Sequence, residues 1–169
     1  MTRPPKRILL VSANGLGDCV AFLPVAAAVR RRWPESRVAM MTRRAGAEAT
    51  QLTETVDQFI LMPDRRAAGR FGRAREFFQR VRALRKDPFD LALMASGEGS
   101  ATAALLFLGG VGTRIGFDDC RLRWLLSTRV VAREPELESR RNFRFISDSG
   151  KVPGSSYAGY PSCGSWPQI

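Results

Sequence analysis

The chain predicts an α/β domain, a parallel sheet with helices on both faces. Three observations predict it. Short apolar runs at residues 8–11, 38–41, 59–62, 91–94 and 130–132 have strand length. Longer segments of helical spacing separate them, as expected when a parallel sheet is covered on both sides. The first run ends in a turn carrying Gly15 and Gly17 and feeds an amphipathic helix. In open α/β sheets that junction lies at the carboxyl edge of the strands, where ligands bind. There is no internal repeat of solenoid type.

The first strand-turn-helix run, residues 7–34, carries the chemistry. Gly15 and Gly17 allow a tight turn and close backbone approach. Asp18 follows at the mouth of the helix and admits two roles. One is a helix cap, its oxygen accepting from free N–H groups of the first turn. The other is a general base that takes a proton from a hydroxyl attacking a carbon centre. The helix dipole favours negative charge at that end. Gly15-x-Gly17-x-x-Val20 also approaches the dinucleotide fingerprint, with valine in place of its third glycine. The second strand ends in Thr42-Arg43-Arg44, where NAD sites carry an acid; an NADP site could use such arginines.

Further along, Val20, Leu23, Ala27 and Val29 form the expected apolar face of the first helix, and Phe71, Phe77, Phe78, Val81 and Leu84 that of the third. Residues 101–108 are almost wholly apolar and predict a buried helix. Gly97-Glu98-Gly99-Ser100 joins it to the fourth strand, at the same edge of the sheet as Asp18. Its backbone N–H groups could hold an acceptor hydroxyl or phosphate, with Glu98 as a second acid; otherwise it is a simple turn.

Charge is the second strong signal. The chain has 27 Lys and Arg against 16 Asp and Glu, a net charge of +11, nearly all from arginine. Residues 64–86 hold nine basic and two acidic residues, among them Arg65, Arg66, Arg70, Arg73 and Arg75. Guanidinium groups bind phosphate bidentately, which suits phosphorylated lipid or nucleic acid; the alternative is a solvated helix face. No nucleic-acid module is recognisable, and the phenylalanines have core spacing, so nucleic acid is not the expected partner.

Absences restrict the chemistry. There is no histidine, which excludes Ser-His-Asp and Cys-His catalysis and His-ligated metal. Cys19, Cys120 and Cys163 are too scattered for a zinc cluster or a disulfide framework. Cys19 at the helix start is either a reactive thiol or a small buried residue beside the turn. The longest apolar run, residues 101–111, is about half of the roughly 20 residues that span a bilayer. The N-terminus makes a poor signal peptide. A cytoplasmic protein is expected, peripheral at the inner membrane if the arginines bind lipid.

The order and spacing of these pieces resemble a known family. Gly17-Asp18, Leu23-Pro24, the basic run Arg30-Arg31-Arg32 and Pro34-Glu35-Ser36-Arg37-Val38 are similar to the opening of glycosyltransferase family nine, the ADP-heptose:lipopolysaccharide heptosyltransferases. Val56-Asp57-Gln58-Phe59-Ile60 resembles the family's third strand, Phe89-Asp90-Leu91-Ala92-Leu93-Met94 its fourth, and Thr113-Arg114-Ile115-Gly116-Phe117 its fifth. The likeness runs over residues 7–146.

The resemblance implies a GT-B architecture of two Rossmann-like domains across a cleft. The N-terminal domain receives the acceptor and the C-terminal domain holds most of the sugar nucleotide. It implies Asp18 as the catalytic base, metal-independent transfer from ADP-heptose as a substrate, no resident cofactor, and a lipopolysaccharide core or other glycan as acceptor. The expected acceptor-binding residues are Gly15, Gly17, Arg65, Arg66, Arg70, Arg73 and Glu98. Asp118-Asp119 is not the D-x-D metal motif of the other large glycosyltransferase architecture. Phe22 replaces the family's usual threonine before Leu-Pro; if that position meets acceptor, the acceptor differs from the usual Kdo or heptose.

At 169 residues the chain accommodates one such domain, residues 1–146, and a tail. In residues 147–169, 13 of 23 are Ser, Gly or Pro, and the resemblance stops; a truncated remnant or a flexible linker is expected. The expectation is therefore the acceptor half of a glycosyltransferase, inactive alone. Two alternatives remain, a single NADP-binding module and a non-catalytic arginine-rich module that binds anionic membranes.

Overall fold

The structure is a computed structural model, and it describes residues 3–13, 15–51, 53–62, 70–95, 97–119 and 121–131. Six parallel strands form one sheet: β1 (Arg7–Ser12), β2 (Arg37–Thr42), β3 (Gln58–Leu61), β4 (Leu91–Met94), β5 (Thr113–Phe117) and β6 (Thr128–Val130). Their order is β3-β2-β1-β4-β5-β6, and every pairing is parallel. This is the doubly wound, Rossmann-like arrangement. The strand order reverses between β1 and β4; in open sheets of this kind ligands bind in the crevice outside the carboxyl ends of the strands at such a point.

The sheet buries both faces, as the near-continuous apolar strands require. Ile8 and Leu10 of β1, Val38 and Met40 of β2 and Leu91 and Leu93 of β4 face α1 (Leu16–Arg32). Leu9, Val11, Met41 and Met94 face the other way, against α3 (Arg70–Lys86) and α4 (Ser100–Leu108). The short helix α2 (Arg44–Thr50) follows β2 directly.

Two expected helix faces are corrected. In α1 the buried residues are Cys19, Phe22, Val25, Ala26, Ala28 and Val29, while Val20 is 50% exposed and Leu23 and Ala27 are half-buried. The chain enters α1 at Leu16 in the register that lays Phe22, fully buried, on the sheet. Phe22 is therefore a core residue, and its difference from threonine says nothing about an acceptor. In α3, among the residues whose side chains are described, only Val81 and Leu84 are buried; Phe77 is half-buried, and Phe71 and Phe78 are 93% and 64% exposed. Phe71 stands in the first turn, and Phe78 lies one residue off the stripe set by Phe77, Val81 and Leu84. Helix α4 buries Thr102, Ala103, Leu105 and Leu106 but exposes Phe107 and Leu108 at its end, so it is buried on one side rather than all round. There the Arg114 guanidinium lies 5.3 Å from the Phe107 ring centre.

The strand starts are pinned by carboxylates. Asp90 accepts the N–H groups of Lys6 and Arg7 at 2.7 and 2.9 Å. Asp57 accepts the Val38 N–H at 2.7 Å and pairs with Arg30 of α1 at 2.7 Å. At the opposite edge Cys19 Sγ meets Thr42 Oγ1 at 2.9 Å and donates to the Ser12 carbonyl at 3.3 Å. Gly46 closes over this pair; a Cβ there would collide with Thr42 and stand 2.5 Å from the Cys19 sulfur. Cys19 is thus the small buried residue beside the turn. Cys120 and Cys163, the boundary at residue 146 and the tail 147–169 lie outside the described residues. Among the described residues, no helix is long and apolar enough to cross a membrane.

Candidate active site

The candidate site is the crevice edge formed by the loop from β1 to α1, the loop from β4 to α4 and the turn from β2 to α2. The residue after β4 continues the ladder onto β1: the Ala95 N–H donates to the Val11 carbonyl at 2.8 Å.

Helix α1 starts at Gly15, which is extended at φ −153° and ψ 174° and whose carbonyl accepts the Cys19 N–H at 3.2 Å. Gly15, not Asp18, is therefore the cap residue. Asp18 is the third helical residue, in the first turn, where a negative charge is favoured by the helix dipole. It is half-buried. Its Oδ2 lies 3.5 Å from the point where a Cβ on Gly15 would stand, so the carboxylate lies over that glycine.

The connection from Ser12 to Leu16 is short, but it does not draw on glycine's left-handed backbone freedom at Gly15 or Gly17. Neither Gly15 nor Gly17 has positive φ; among the described residues only Gly97, at φ 75°, and Gly110, at φ 78°, do. Gly17 is exposed and helical, and a Cβ there would meet nothing within 4 Å. Glycine inside a helix costs about 0.5–1 kcal/mol relative to alanine. The local fold recovers none of that at Gly17; what the glycine leaves is open space beside Asp18.

Glu98 is brought to this edge, as the loop spacing predicts, but it is 5% exposed. One carboxylate oxygen accepts the Ala13 N–H, and the other accepts the Thr102 hydroxyl at 3.1 Å. It braces the end of β1 against the first turn of α4 rather than offering a free acid to the crevice. Gly99, extended, caps α4. The alternative of a simple turn therefore fits Glu98 better than the acceptor-contact expectation.

The expected basic cluster is described only in part. Arg65 and Arg66 lie outside the described residues. Arg70 begins α3. Arg73 is exposed on the same helix, as is Arg75. The arginines that the sequence suggested only for a dinucleotide, Arg43 and Arg44, share a cavity with Gly15. This cavity of about 410 Å³ is lined by Ala13, Gly15, Leu16, Thr42, Arg43, Arg44 and Glu48, among others. Among the described residues, no group of three or more His, Cys, Asp or Glu side chains is placed to hold a metal ion.

Solved structures share this fold. Escherichia coli heptosyltransferase WaaC with ADP superposes with a TM-score of 0.69 at 20% identity, over 85% of this chain and 47% of that one. Escherichia coli ADP-heptose lipopolysaccharide heptosyltransferase II gives a TM-score of 0.73 at 18% identity, over 92% and 44%. The family nine glycosyltransferase from Veillonella parvula gives 0.74 at 16% identity, over 89% and 42%. The fold is that of the N-terminal part of these glycosyltransferases. The chain spans less than half the length of each of the three. Neither a family model nor a curated protein matches the sequence.

Proposed function

We propose that the chain is the acceptor-side half of a glycosyltransferase that moves a heptose from ADP-heptose to a lipopolysaccharide-type acceptor, with Asp18 as the base. The observation that carries this reading is the position of Asp18: a carboxylate in the first turn of α1, at the carboxyl edge of β1, beside a glycine whose missing side chain leaves space. The likeness of the surrounding fold to heptosyltransferases supports the substrate class proposed.

In this reading the Asp18 carboxylate takes the proton from an acceptor hydroxyl as that oxygen bonds to the anomeric carbon of the donor. The bond from that carbon to the diphosphate oxygen breaks, and ADP leaves with the electron pair. The nucleotide is held by a second domain across the crevice. Gly15 and Gly17 admit the acceptor sugar, and Glu98 fixes the loop that carries Gly15. The arginines of residues 65–75 attract the anionic surface in which a lipid-linked acceptor is embedded, placing the protein at the cytoplasmic face of the inner membrane.

The test is acceptor binding by the chain itself. Heptose-free lipopolysaccharide core oligosaccharide is titrated into labelled protein, and amide shifts are followed by NMR. Saturable shifts at Gly15, Gly17 and Asp18 support the reading. A binding curve confined to residues away from this edge, or none at millimolar oligosaccharide, overturns it.

A further inference from the structure

We propose that the outer surface of α3, the end of α4 and the turn Arg123–Leu125 form one face that docks on an anionic phospholipid bilayer, its aromatic side chains entering the headgroup layer between arginines. This goes beyond the reading of Asp18 and stands if that residue has no catalytic role; it supplies a surface for the membrane placement proposed with it.

Leu125 and the buried residues of α3 and α4 belong to one core cluster, so the three elements cover the same side of the sheet, the side away from α1. Contacts tie their outer parts together. Arg85 of α3 donates from Nε to the Leu108 carbonyl at the end of α4, at 2.7 Å. The Arg114 guanidinium lies against the Phe107 ring of α4 and donates from Nε to the Leu125 carbonyl, at 2.7 Å. Arg114 thus holds Phe107 and Leu108 beside the turn that carries Trp124. On α3, Phe71, Arg75, Phe78 and Arg82 follow at intervals of four, three and four residues, which sets them in a line along one side of the helix. All four are exposed.

Two features of this layer favour a bilayer as its partner. The first is where aromatic surface is left uncovered. Four large aromatic side chains are exposed among the described residues, Phe71, Phe78, Phe107 and Trp124, and all four belong to this layer. Trp124 is 70% exposed. Single exposed apolar residues are ordinary, whereas their gathering on one face marks an interaction surface. On the opposite layer, α1 exposes Leu16 and Val20 but no aromatic ring. The second feature is charge. Helix α3 holds seven basic residues and one acid, Glu76, which pairs with Arg80 at 3.3 Å. Arg75 and Arg82 have no ion pair among the described residues, and Arg121 and Arg123 are exposed next to Trp124. Guanidinium groups bind lipid phosphates, while tryptophan and phenylalanine rings lie at headgroup depth. A second copy of the chain would instead set arginine against arginine.

The experiment is cosedimentation of the whole chain with vesicles of mixed phosphatidylglycerol and phosphatidylcholine, compared with phosphatidylcholine alone. The parent should bind the mixed vesicles and not the uncharged ones. Trp124→Ser and Phe78→Ser should each weaken that binding roughly tenfold, the scale of one aromatic ring withdrawn from water. Arg75→Gln combined with Arg82→Gln should weaken it mainly at low salt, whereas Arg44→Gln on α2 should leave it unchanged. These side chains are exposed, so each variant should keep the parent's urea midpoint. Brominated acyl chains should quench the tryptophan fluorescence of the parent, and Trp124→Phe should bind but lose most of that quenching. Undiminished binding by both serine variants would overturn the proposal, and so would an equal loss in Arg44→Gln, the mark of general attraction to a basic protein. Without lipid the chain should sediment as a monomer. A dimer that Trp124→Ser dissociates would assign the face to a second copy and overturn the proposal as well. Saturable binding of single-stranded DNA lost in Trp124→Ser, with no vesicle binding, would assign it to nucleic acid, with the same consequence.

Discussion

The carboxylate of Glu98 accepts the backbone N–H of Ala13, joining the loop after β4 to the end of β1 across the point where the strand order reverses. Its other oxygen takes the Thr102 hydroxyl in the first turn of α4. A buried acid engaged in this way ties Ala13, at the end of β1, to the first turn of α4.

Glu98→Ala should leave the Ala13 N–H buried without an acceptor and destabilise the domain by about 1–3 kcal/mol. Glu98→Gln retains a carbonyl oxygen for Ala13 and should lose less. Urea unfolding ranks the two variants, and amide exchange at Ala13 should accelerate in the alanine variant. Equal stability of Glu98→Ala and the parent would show that the brace is not needed.

Gly17 separates folding from function. Alanine there has open space and better helix propensity, so Gly17→Ala should raise stability by roughly 0.5–1 kcal/mol. If the space beside Asp18 receives the acceptor, the same variant should bind core oligosaccharide more weakly. A stabilised variant with unchanged acceptor affinity would return Gly17 to a neutral position on the helix.

Asp57 predicts an acid-sensitive contact far from the site. Burial pushes its carboxyl up, but the hydrogen bonds from Arg30 and the Val38 N–H, with the charges of Arg30 and Arg37, outweigh that and leave it below the ordinary value. A lowered folded-state pKa gives stability that is complete above the unfolded value of about 3.9 and is lost as pH falls through the folded one. Asp57→Asn should therefore flatten the decline in stability below about pH 4. Urea midpoints measured from pH 7 down to pH 3 check this, and parallel declines in both proteins would contradict it.

The sheet was legible because β1, β2 and β4 are buried on both faces, so their residues are apolar without alternation and stand out from the helices. Side-chain direction was less legible. Phe71 and Phe78 match helical spacing, yet Val81 and Leu84 set which side of α3 meets the sheet, and nothing in the sequence says where the helix begins relative to them. Asp18 has the residue type of a cap, but the first intrahelical bond goes to Gly15, three residues earlier. Glu98 read as a free acid because the need it meets, an acceptor for the Ala13 N–H, arises only when distant segments adjoin. Arg43 was noticed for its charge and lacked a context until the turn after β2 was seen to share a cavity with Gly15.

The most direct test of the central claim is transfer by the chain joined to a heptosyltransferase donor-side domain, comparing the parent with Asp18→Asn. Asparagine preserves the size of the side chain and cannot take the proton. The account predicts a loss of roughly 10²- to 10⁴-fold in kcat, with acceptor affinity and unfolding midpoint nearly unchanged. Near-full turnover by Asp18→Asn would contradict it and remove Asp18 from the chemistry.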